Sequence, residues 1–310
     1  MKNQTNKPSK AQEVMEDIAN TIITSIESGL VEGKWQKPWI GRGNLADGIP
    51  LNAITRKNYG GGNVVYLWIV GWQAGYSTNE WATYKQWSSI DAQVRKGEHG
   101  TRVIKWIPKV CKDHGPDEMC TKCGKMLPYS FVVFNSDQVD GYEPPAKKAQ
   151  EEFEPLNEDK RIERIDKFFG SLGSTFTEKA CDVAAYSPSL DEIMMPLFAD
   201  FVDAGSYYST LAHEHVHWTG AKSRLNRDLS GRFGDDAYAA EELVAELGSA
   251  MLCGLLGIED RPRDDHAQYL QHWVRILRDD YKKLWTAASQ ATKAVEFVQE
   301  LAKTDELQPA

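Results

Sequence analysis

Apolar residues recur at helical spacing in long stretches of this chain. Between residues 14 and 30 they fall three and four positions apart, and a glycine near the end of the stretch is a stop signal. Further helices are predicted for the stretches KRIERIDKFFGSLG, SYYSTLAHEHVHWTG and AYAAEELVAELGSAMLCGLLG. Two strand-like runs, TRVIKWIPKV and YSFVVFN, predict a β-hairpin, and shorter strand-like pieces lie between residues 174 and 196. The pattern predicts an α+β protein.

A stretch without apolar periodicity divides the chain into two halves. Residues 141–160 are rich in Pro, Glu and Lys, a composition typical of a solvated linker. Residues 1–140 predict a small α+β domain built around the hairpin, and residues 161–310 predict a mostly helical domain with a small sheet. A chain of 310 residues is long enough for two domains of this size.

Charge is distributed unevenly between the two halves. Residues 1–140 hold 17 Lys and Arg against 14 Asp and Glu, a net of +3, while the rest holds 19 against 31, a net of −12. Electrostatics therefore allow nucleic acid near the first half and disfavour it near the second.

The composition argues against several classes of protein. No apolar run reaches the roughly 18 residues that span a bilayer, and the first residues lack the apolar segment of a signal peptide. Five cysteines in a chain of this length do not make a disulfide framework. We therefore expect a soluble cytoplasmic protein with reduced thiols and no membrane partner.

Tryptophan and tyrosine alternate with lysine and arginine in the first half. Unpaired bases stack on aromatic side chains while cations follow the phosphates, so this composition favours a surface for single-stranded DNA. Most aromatic side chains of a small domain nevertheless belong to its core, which is the competing interpretation for each of them. The candidate DNA contacts are Trp35, Trp39, Tyr59, Arg95 and Lys96.

A polar insertion between the two hairpin strands has the composition of a second metal site. Cys111, His114, Cys120 and Cys123 are spaced C-x₂-H-x₅-C-x₂-C. Thiolates and imidazole are ligands that zinc prefers, and two close pairs can form a tetrahedral structural site. The alternative is a loop tip with free surface thiols.

The second half contains the motif His-Glu-x-x-His. His213 and His217 are four positions apart, so on a helix both imidazoles reach one metal ion. Glu214 lies about 100° round the helix, where it can act on a water molecule at that ion. His215 lies on a different face and is not expected to be a ligand. The apolar flanks predict a partly buried helix, which favours a metal site over a solvated polar face.

A third protein ligand is expected from the next helix. Glu242 and Glu246 are four positions apart and share a face, so one can bind the metal while the other orients a ligating imidazole. We assign Glu242 as the ligand and Glu246 as the supporting carboxylate, with the reverse assignment left open. Glu241 is the competing ligand, but it has no acidic partner four positions further on.

The chain resembles the ArdC-type antirestriction proteins of conjugative plasmids over nearly its full length. No single motif is specific, but the combination is. The matching elements are W-x₂-P-W at 35–39, P-x-N-x₂-T-x₃-Y at 50–59, W-x-T-x₂-Q at 81–86, V-R-K-G-E at 94–98, F-N-x₂-Q-V-x-G at 134–141, D-x-I-x-M-P at 191–196, Y-Y-x-T-L-x-H-E-x₂-H-x-T-G at 207–220, R-L-x-R at 224–227, E-E-L-V-A-E-L-G at 241–248 and H-x₂-Y-x₃-W at 266–273.

The resemblance implies a division of labour between the halves. It implies that residues 1–140 bind single-stranded DNA and that residues 161–310 form a zincin-like metallopeptidase domain. It also implies that the protein shields incoming plasmid DNA from host restriction. The insertion at 111–123 is not part of the family pattern.

The expected activity is zinc-dependent hydrolysis of a peptide bond in an unknown protein substrate. His213, His217 and Glu242 would hold one zinc ion, and Glu214 would act as the general base and acid. Tyr208 or Tyr238 would donate to the oxyanion, and the strand at 193–195 would align the peptide by edge pairing. The alternative is a DNA-binding shield whose metal site is structural or inactive.

Overall fold

The structure is a computed structural model of the 310-residue chain, and it describes residues 9–31, 48–108, 126–143, 158–231, 235–258 and 267–306. Within these ranges the helices are α1 (Lys10–Val31), α2 (Gly62–Ala74), α3 (Tyr84–Ser88), α4 (Glu158–Gly170), α5 (Ala204–Thr219), α6 (Asp236–Leu256), α7 (Ala267–Asp279) and α8 (Lys282–Glu306). The strands are β1 (Leu51–Asn52), β2 (Glu80–Thr83), β3 (Gln93–Val94), β4 (Thr101–Pro108), β5 (Met126–Asn135), β6 (Val139–Asp140), β7 (Thr175–Glu178), β8 (Ala185–Ser187) and β9 (Glu192–Met195). The predicted α+β class is confirmed.

The first half of the chain is built on a four-stranded mixed sheet. Its strand order is β1-β2-β5-β4, in which β1 and β2 are parallel and the other neighbours are antiparallel. The predicted hairpin is the β4–β5 pair, which runs in register from Thr101 opposite Val133 to Pro108 opposite Met126. A second sheet joins β3 to β6.

The second half is mostly helical and carries a three-stranded sheet of order β7-β9-β8. Strand β9 pairs with β7 on one side and with β8 on the other. Residues 193–195 therefore lie in the central strand, and the expectation that they align a peptide by edge pairing is wrong. The edge strand next to α5 is β8, which contacts that helix.

The two halves share one hydrophobic core. Its buried side chains include Ile22 of α1 and Trp68 of α2 together with Leu247 of α6 and Val295 of α8. Trp285 of α8 donates a hydrogen bond from its indole nitrogen to the carbonyl of Met15 at 3.2 Å. The fold therefore packs the two halves directly on each other. The boundary at 141–160 stays a prediction, because residues 144–157 lie outside the described ranges.

No helix in the described ranges combines the length and the apolar character needed to cross a membrane.

Helices α5 and α6 approach closely at one glycine. A β-carbon added to Gly248 of α6 would lie 2.8 Å from a methyl carbon of Val216 on α5. Val216 is fully buried, so it has no free space into which it can move. Only glycine allows this separation of the two helices at this position.

We predict that Gly248→Ala destabilises the protein. The added methyl group forces the two helices apart, and overpacking of this kind costs about 1–3 kcal/mol. Chemical denaturation of the wild type and the variant measures the loss. Gly170→Ala is the control, because a β-carbon at Gly170 meets no atom within 4 Å. Equal stability of Gly248→Ala and the wild type would contradict the close approach.

Candidate metal centre

Helix α5 presents the His-Glu-x-x-His motif from a buried position. The helix begins after Asp203, whose carboxylate accepts hydrogen bonds from the backbone nitrogen and the hydroxyl of Ser206, both at 2.8 Å. Helix α5 is apolar enough to pack against β8, β9, α6 and α8. His213 and Glu214 are each only 4% exposed. An imidazole and a carboxylate at this depth require partners, because isolated polar groups are costly to bury.

The partners come from α6, which brings Glu242 to both imidazoles. Nε2 of His213 lies 3.5 Å from Oε2 of Glu242, and Nε2 of His217 lies 3.5 Å from Oε1 of the same residue. The two Nε2 atoms are 3.2 Å apart. The structure thus assembles the three predicted ligands into one cluster, whose ligand atoms all lie within 4.8 Å of one another.

The spacing of these atoms suits a small divalent cation. Ligand atoms at about 2.1 Å from a tetrahedral zinc ion are separated by about 3.4 Å, close to the three distances in the cluster. Two imidazoles and one carboxylate are also a donor set that zinc accepts, with a fourth position left for water or substrate.

The electrostatics of the cluster favour added positive charge. Burial disfavours the charged form of Glu242, but hydrogen bonds and charges from His213 and His217 outweigh it and hold its pKa below the ordinary value. Burial likewise disfavours the charged form of His217, but hydrogen bonds to Glu241 and Glu242 raise its pKa to about 10. A divalent cation between the imidazoles supplies the positive charge that these carboxylates favour.

Each imidazole has a second carboxylate behind it. Oε2 of Glu246, which is 1% exposed, lies 3.7 Å from Nδ1 of His213. Oε1 of Glu241 lies 3.1 Å from Nδ1 of His217. Carboxylates in this position fix the orientation and tautomer of a ligating imidazole. Glu246 therefore lies where support was predicted, on the side of His213 that faces away from Glu242.

The sequence does not reveal the supporting position of Glu241, because Glu241 has no acidic partner four positions further on along its own helix. The structure supplies Arg227 instead. Its guanidinium donates to both carboxylate oxygens of Glu241, at 2.8 and 3.0 Å, and its side chain is only 5% exposed. It also donates to the carbonyl of Val216 and to the hydroxyl of Thr219, both on α5. The R-L-x-R motif was the available signal, but nothing in its spacing assigns it to His217.

Glu214 faces a cleft beside the ligand cluster. Its Oε2 accepts a hydrogen bond from the backbone nitrogen of Tyr186 on β8 at 2.8 Å. The cleft has a volume of about 310 Å³ and is lined by the three ligand residues and Glu214, by β8 and by Tyr238 of α6. A main-chain donor from β8 leaves no trace in the sequence, so this contact was not foreseeable.

Two other residues of α5, His215 and Tyr208, form hydrogen bonds outside the metal cluster. His215 is fully buried, which lowers its pKa to about 4. One ring nitrogen lies 2.8 Å from the carbonyl of Leu211 and the other 2.9 Å from the hydroxyl of Ser174, so the ring is satisfied away from the cluster. The hydroxyl of Tyr208 donates to Asp166 at 2.7 Å. Of the two tyrosines considered as oxyanion donors, only Tyr238 lines the cleft.

The structure describes three of the five predicted DNA contacts, Tyr59, Arg95 and Lys96. Tyr59 is half-buried against two core clusters, and its hydroxyl donates to the carbonyl of Trp81 at 3.4 Å. Arg95 pairs with Glu98 at 2.9 Å and also contacts the carbonyl of Asp137. Lys96 is exposed.

The remaining candidates lie outside the described residues. These are Trp35, Trp39, Cys111, His114, Cys120 and Cys123. The metal cluster on α5 and α6 is accordingly the one found among the described residues.

Models of two protein families match successive parts of the chain. The model described as the N-terminal domain of anti-restriction factor ArdC matches residues 12–136. The model described as a zincin-like metallopeptidase, MPTase-PolyVal, matches residues 163–290, which include the whole metal cluster.

Relatives and solved structures match across both parts. The uncharacterized protein y4eC of Sinorhizobium fredii is 40% identical over 94% of this chain and 93% of its own length. Two DNA primases TraC of Escherichia coli are 34% identical over 91% of this chain, which spans only 27% and 20% of their lengths.

Two crystal structures of the antirestriction protein ArdC from plasmid R388 are similar to the whole fold. Each is 36% identical to this chain. The metal-free structure has a TM-score of 0.73 and covers 94% of this chain and 98% of its own. The Mn(II)-bound structure has a TM-score of 0.74, with coverage of 93% and 97%.

We predict one bound zinc ion per chain at this cluster and a second if the cysteine insertion binds metal. Elemental analysis of zinc-loaded protein should show that His213→Ala/His217→Ala loses one equivalent. Cys120→Ser/Cys123→Ser should lose a separate equivalent. An unchanged content in the first variant would exclude the cluster as a metal site, and an unchanged content in the second would show that residues 111–123 hold none.

We predict that Arg227→Met weakens zinc binding about 10- to 100-fold, the range typical when support for a ligating imidazole is lost. Without the guanidinium, Glu241 is no longer held against His217. Competition with a chromophoric chelator measures the affinity, and circular dichroism checks that the variant is folded. Arg278→Met is the control, because Arg278 makes a comparable ion pair with Glu27 on the surface. Equal zinc affinity of folded Arg227→Met and wild type would exclude this role.

Proposed function

The chain belongs to the ArdC family of antirestriction proteins, and we propose that its metal centre is a working peptidase site in a protein that binds single-stranded DNA. The observation that supports the peptidase most directly is Glu214. A structural zinc site has no use for an additional buried carboxylate at the edge of an open cleft. Here that carboxylate lies beside the ligand cluster and is oriented by the backbone of β8.

His213, His217 and Glu242 would hold the metal, and we propose zinc as the resident ion. When bound, the ion acts as a Lewis acid that polarises the scissile carbonyl and lowers the pKa of water. Zinc is favoured over manganese by intrinsic affinity for a site of two imidazoles and a carboxylate. The R388 ArdC structure with Mn(II) makes manganese the first alternative to test.

Glu214 would move the proton during hydrolysis. Its carboxylate accepts a proton from the attacking water as the new carbon–oxygen bond forms. It then delivers that proton to the amide nitrogen as the carbon–nitrogen bond breaks, which releases a carboxylic acid and an amine. The hydrogen bond from Tyr186 keeps one carboxylate oxygen in place during both transfers.

Two further features of the cleft fit an extended peptide. Within the described chain β8 pairs with β9 alone, and Ala185 and Tyr186 of β8 line the cleft, so a substrate strand can lie beside β8. Tyr238 of α6 also lines the cleft and is our candidate donor to the oxyanion of the tetrahedral intermediate. Both features suit a substrate that binds in the cleft as an extended protein segment.

The proposed biological role is protection of incoming plasmid DNA. The first half of the chain carries the positive part of the charge, and the metal centre belongs to the negative part. We propose that the first half holds single-stranded DNA while the cleft acts on proteins that reach it. In the alternative, the protein shields DNA by binding alone and the metal site contributes only to the fold.

We predict that Glu214→Gln abolishes peptide cleavage without loss of metal. The amide keeps the size of the side chain but cannot take up a proton, so the rate should fall by at least about 100-fold. Cleavage of casein and of proteins bound to single-stranded DNA is followed with and without the DNA, and metal content is measured in parallel.

Two results decide between the proposed roles. Loss of cleavage in metal-loaded Glu214→Gln, together with loss of protection from restriction, supports the peptidase. Full protection by Glu214→Gln would favour the shield, and equal cleavage by both proteins would exclude Glu214 as the proton carrier.

A further inference from the structure

The β4–β5 hairpin exposes an unusual amount of apolar surface. Six of the large exposed apolar side chains lie on its two strands. They are Trp106, Met126, Leu127, Tyr129, Phe131 and Val132. They lie on both faces of the hairpin, and on one face Leu127, Tyr129 and Phe131 follow one another along β5 at every second position. An exposed apolar row of this kind marks a binding surface.

We propose that one face of this hairpin is the surface that binds single-stranded DNA. This inference rests on the proposed binding of single-stranded DNA and names where it occurs. We call the surface the outer hairpin face and define it by Lys105, Leu127, Tyr129 and Phe131. None of the aromatic residues on it was among the contacts predicted from the sequence.

The register of the hairpin places these residues together. Phe131 lies opposite Val103, Tyr129 opposite Lys105, and Leu127 opposite Ile107. Directly opposed residues of an antiparallel pair share a face, and every second residue along a strand returns to it. The outer hairpin face is therefore a row of side chains with a lysine directly across from a tyrosine.

Helix α2 covers only part of the length of this face. Val103 and Val133 are buried beneath Leu67 of α2. Phe131, which lies opposite Val103, is 38% exposed, and Tyr129, two residues away along β5, is 47% exposed. The helix thus leaves the two aromatic rings accessible beside Lys105.

The charge of the hairpin suits a polyanion. Its two strands contain Arg102 and Lys105 and no aspartate or glutamate. Aromatic rings beside a cation can stack on unpaired bases while the cation meets the phosphates. A duplex offers no free base faces, so single strands should bind in preference.

Several other aromatic residues of the first half are less suited to stacking. Trp81 and Trp87 are fully buried, and Tyr59 is half-buried with its hydroxyl bonded to the backbone. Arg95 is engaged by Glu98 and Asp140. Among the described aromatic residues of the first half, Tyr129 and Phe131 offer two exposed rings on one side of one strand.

The test is a fluorescence anisotropy titration of labelled oligo(dT) with the full chain. Tyr129→Ala and Phe131→Ala should each weaken binding about 5- to 150-fold, the range expected for loss of one stacked base. Lys105→Met should reduce the slope of log affinity against log salt by about 0.7, the value for one phosphate contact on a single strand. Thermal melts check that each variant is folded.

Trp106→Ala is the matched control. Trp106 is also exposed, at 45%, and neighbours Lys105 in the sequence, but it points to the opposite face of the same strand. We expect its affinity to equal that of the wild type. Photo-crosslinking to iodo-deoxyuridine should then label peptides that contain Tyr129 or Phe131.

The outcomes separate this inference from the proposed function. If the wild type binds oligo(dT) and the folded Tyr129→Ala and Phe131→Ala variants bind equally well, the outer hairpin face is not the binding surface. The proposal that the protein binds single-stranded DNA then still stands. If the wild type does not bind, both are overturned. If the variants keep full DNA affinity but change the oligomeric state in sedimentation, the face is a contact between protein copies and the inference is again wrong.

Discussion

The metal centre depends on the close packing of two buried helices. Helix α5 supplies two imidazoles and helix α6 supplies the carboxylate between them, and the two helices pack closely where Gly248 meets Val216. Glu242 lies six positions before that glycine on the same helix. A side chain at the contact would move α6 outward and carry Glu242 away from both Nε2 atoms, because interiors at native density have no free space to absorb it.

Burial of so many carboxylates imposes a second requirement, which is balance of charge. Glu214, Glu241, Glu242 and Glu246 lie around the cluster, and Arg227 is the one guanidinium described in contact with them. Removing ions from water costs several kcal/mol each unless they are paired. Arg227, which lies between the two helices in the chain, neutralises Glu241 of α6 and also donates to Val216 and Thr219 at the end of α5. A divalent cation would neutralise two more, so that folding and metal binding support each other.

The shared core connects this centre to the DNA-binding half that we propose. Helices α1 and α2 pack into the same cluster of apolar side chains as α5, α6 and α8. Strand β4 is joined to that core by Asn63 of α2, whose amide group exchanges two hydrogen bonds with the backbone of Ile104. The hairpin is therefore joined to the same core that holds the two helices of the metal centre.

The sequence alone determined the main helices and the two histidine ligands. Helical periodicity placed α1, α5 and α6, and the four-residue spacing of His213 and His217 put both imidazoles on one helix face, because residues on one helix face keep their spacing in any tertiary context. Glu242 was preferred over Glu246 and Glu241, and the packing of α6 on α5 is what brings Glu242 to both imidazoles. Tertiary structure decided what depends on packing between elements. It placed Glu241 behind His217 through Arg227, the backbone nitrogen of Tyr186 against Glu214, and β8 rather than β9 at the sheet edge. It also separated buried Trp81 and Trp87 from exposed Tyr129 and Phe131, since composition counts aromatic residues but only the packing of neighbouring elements determines which of them meet solvent.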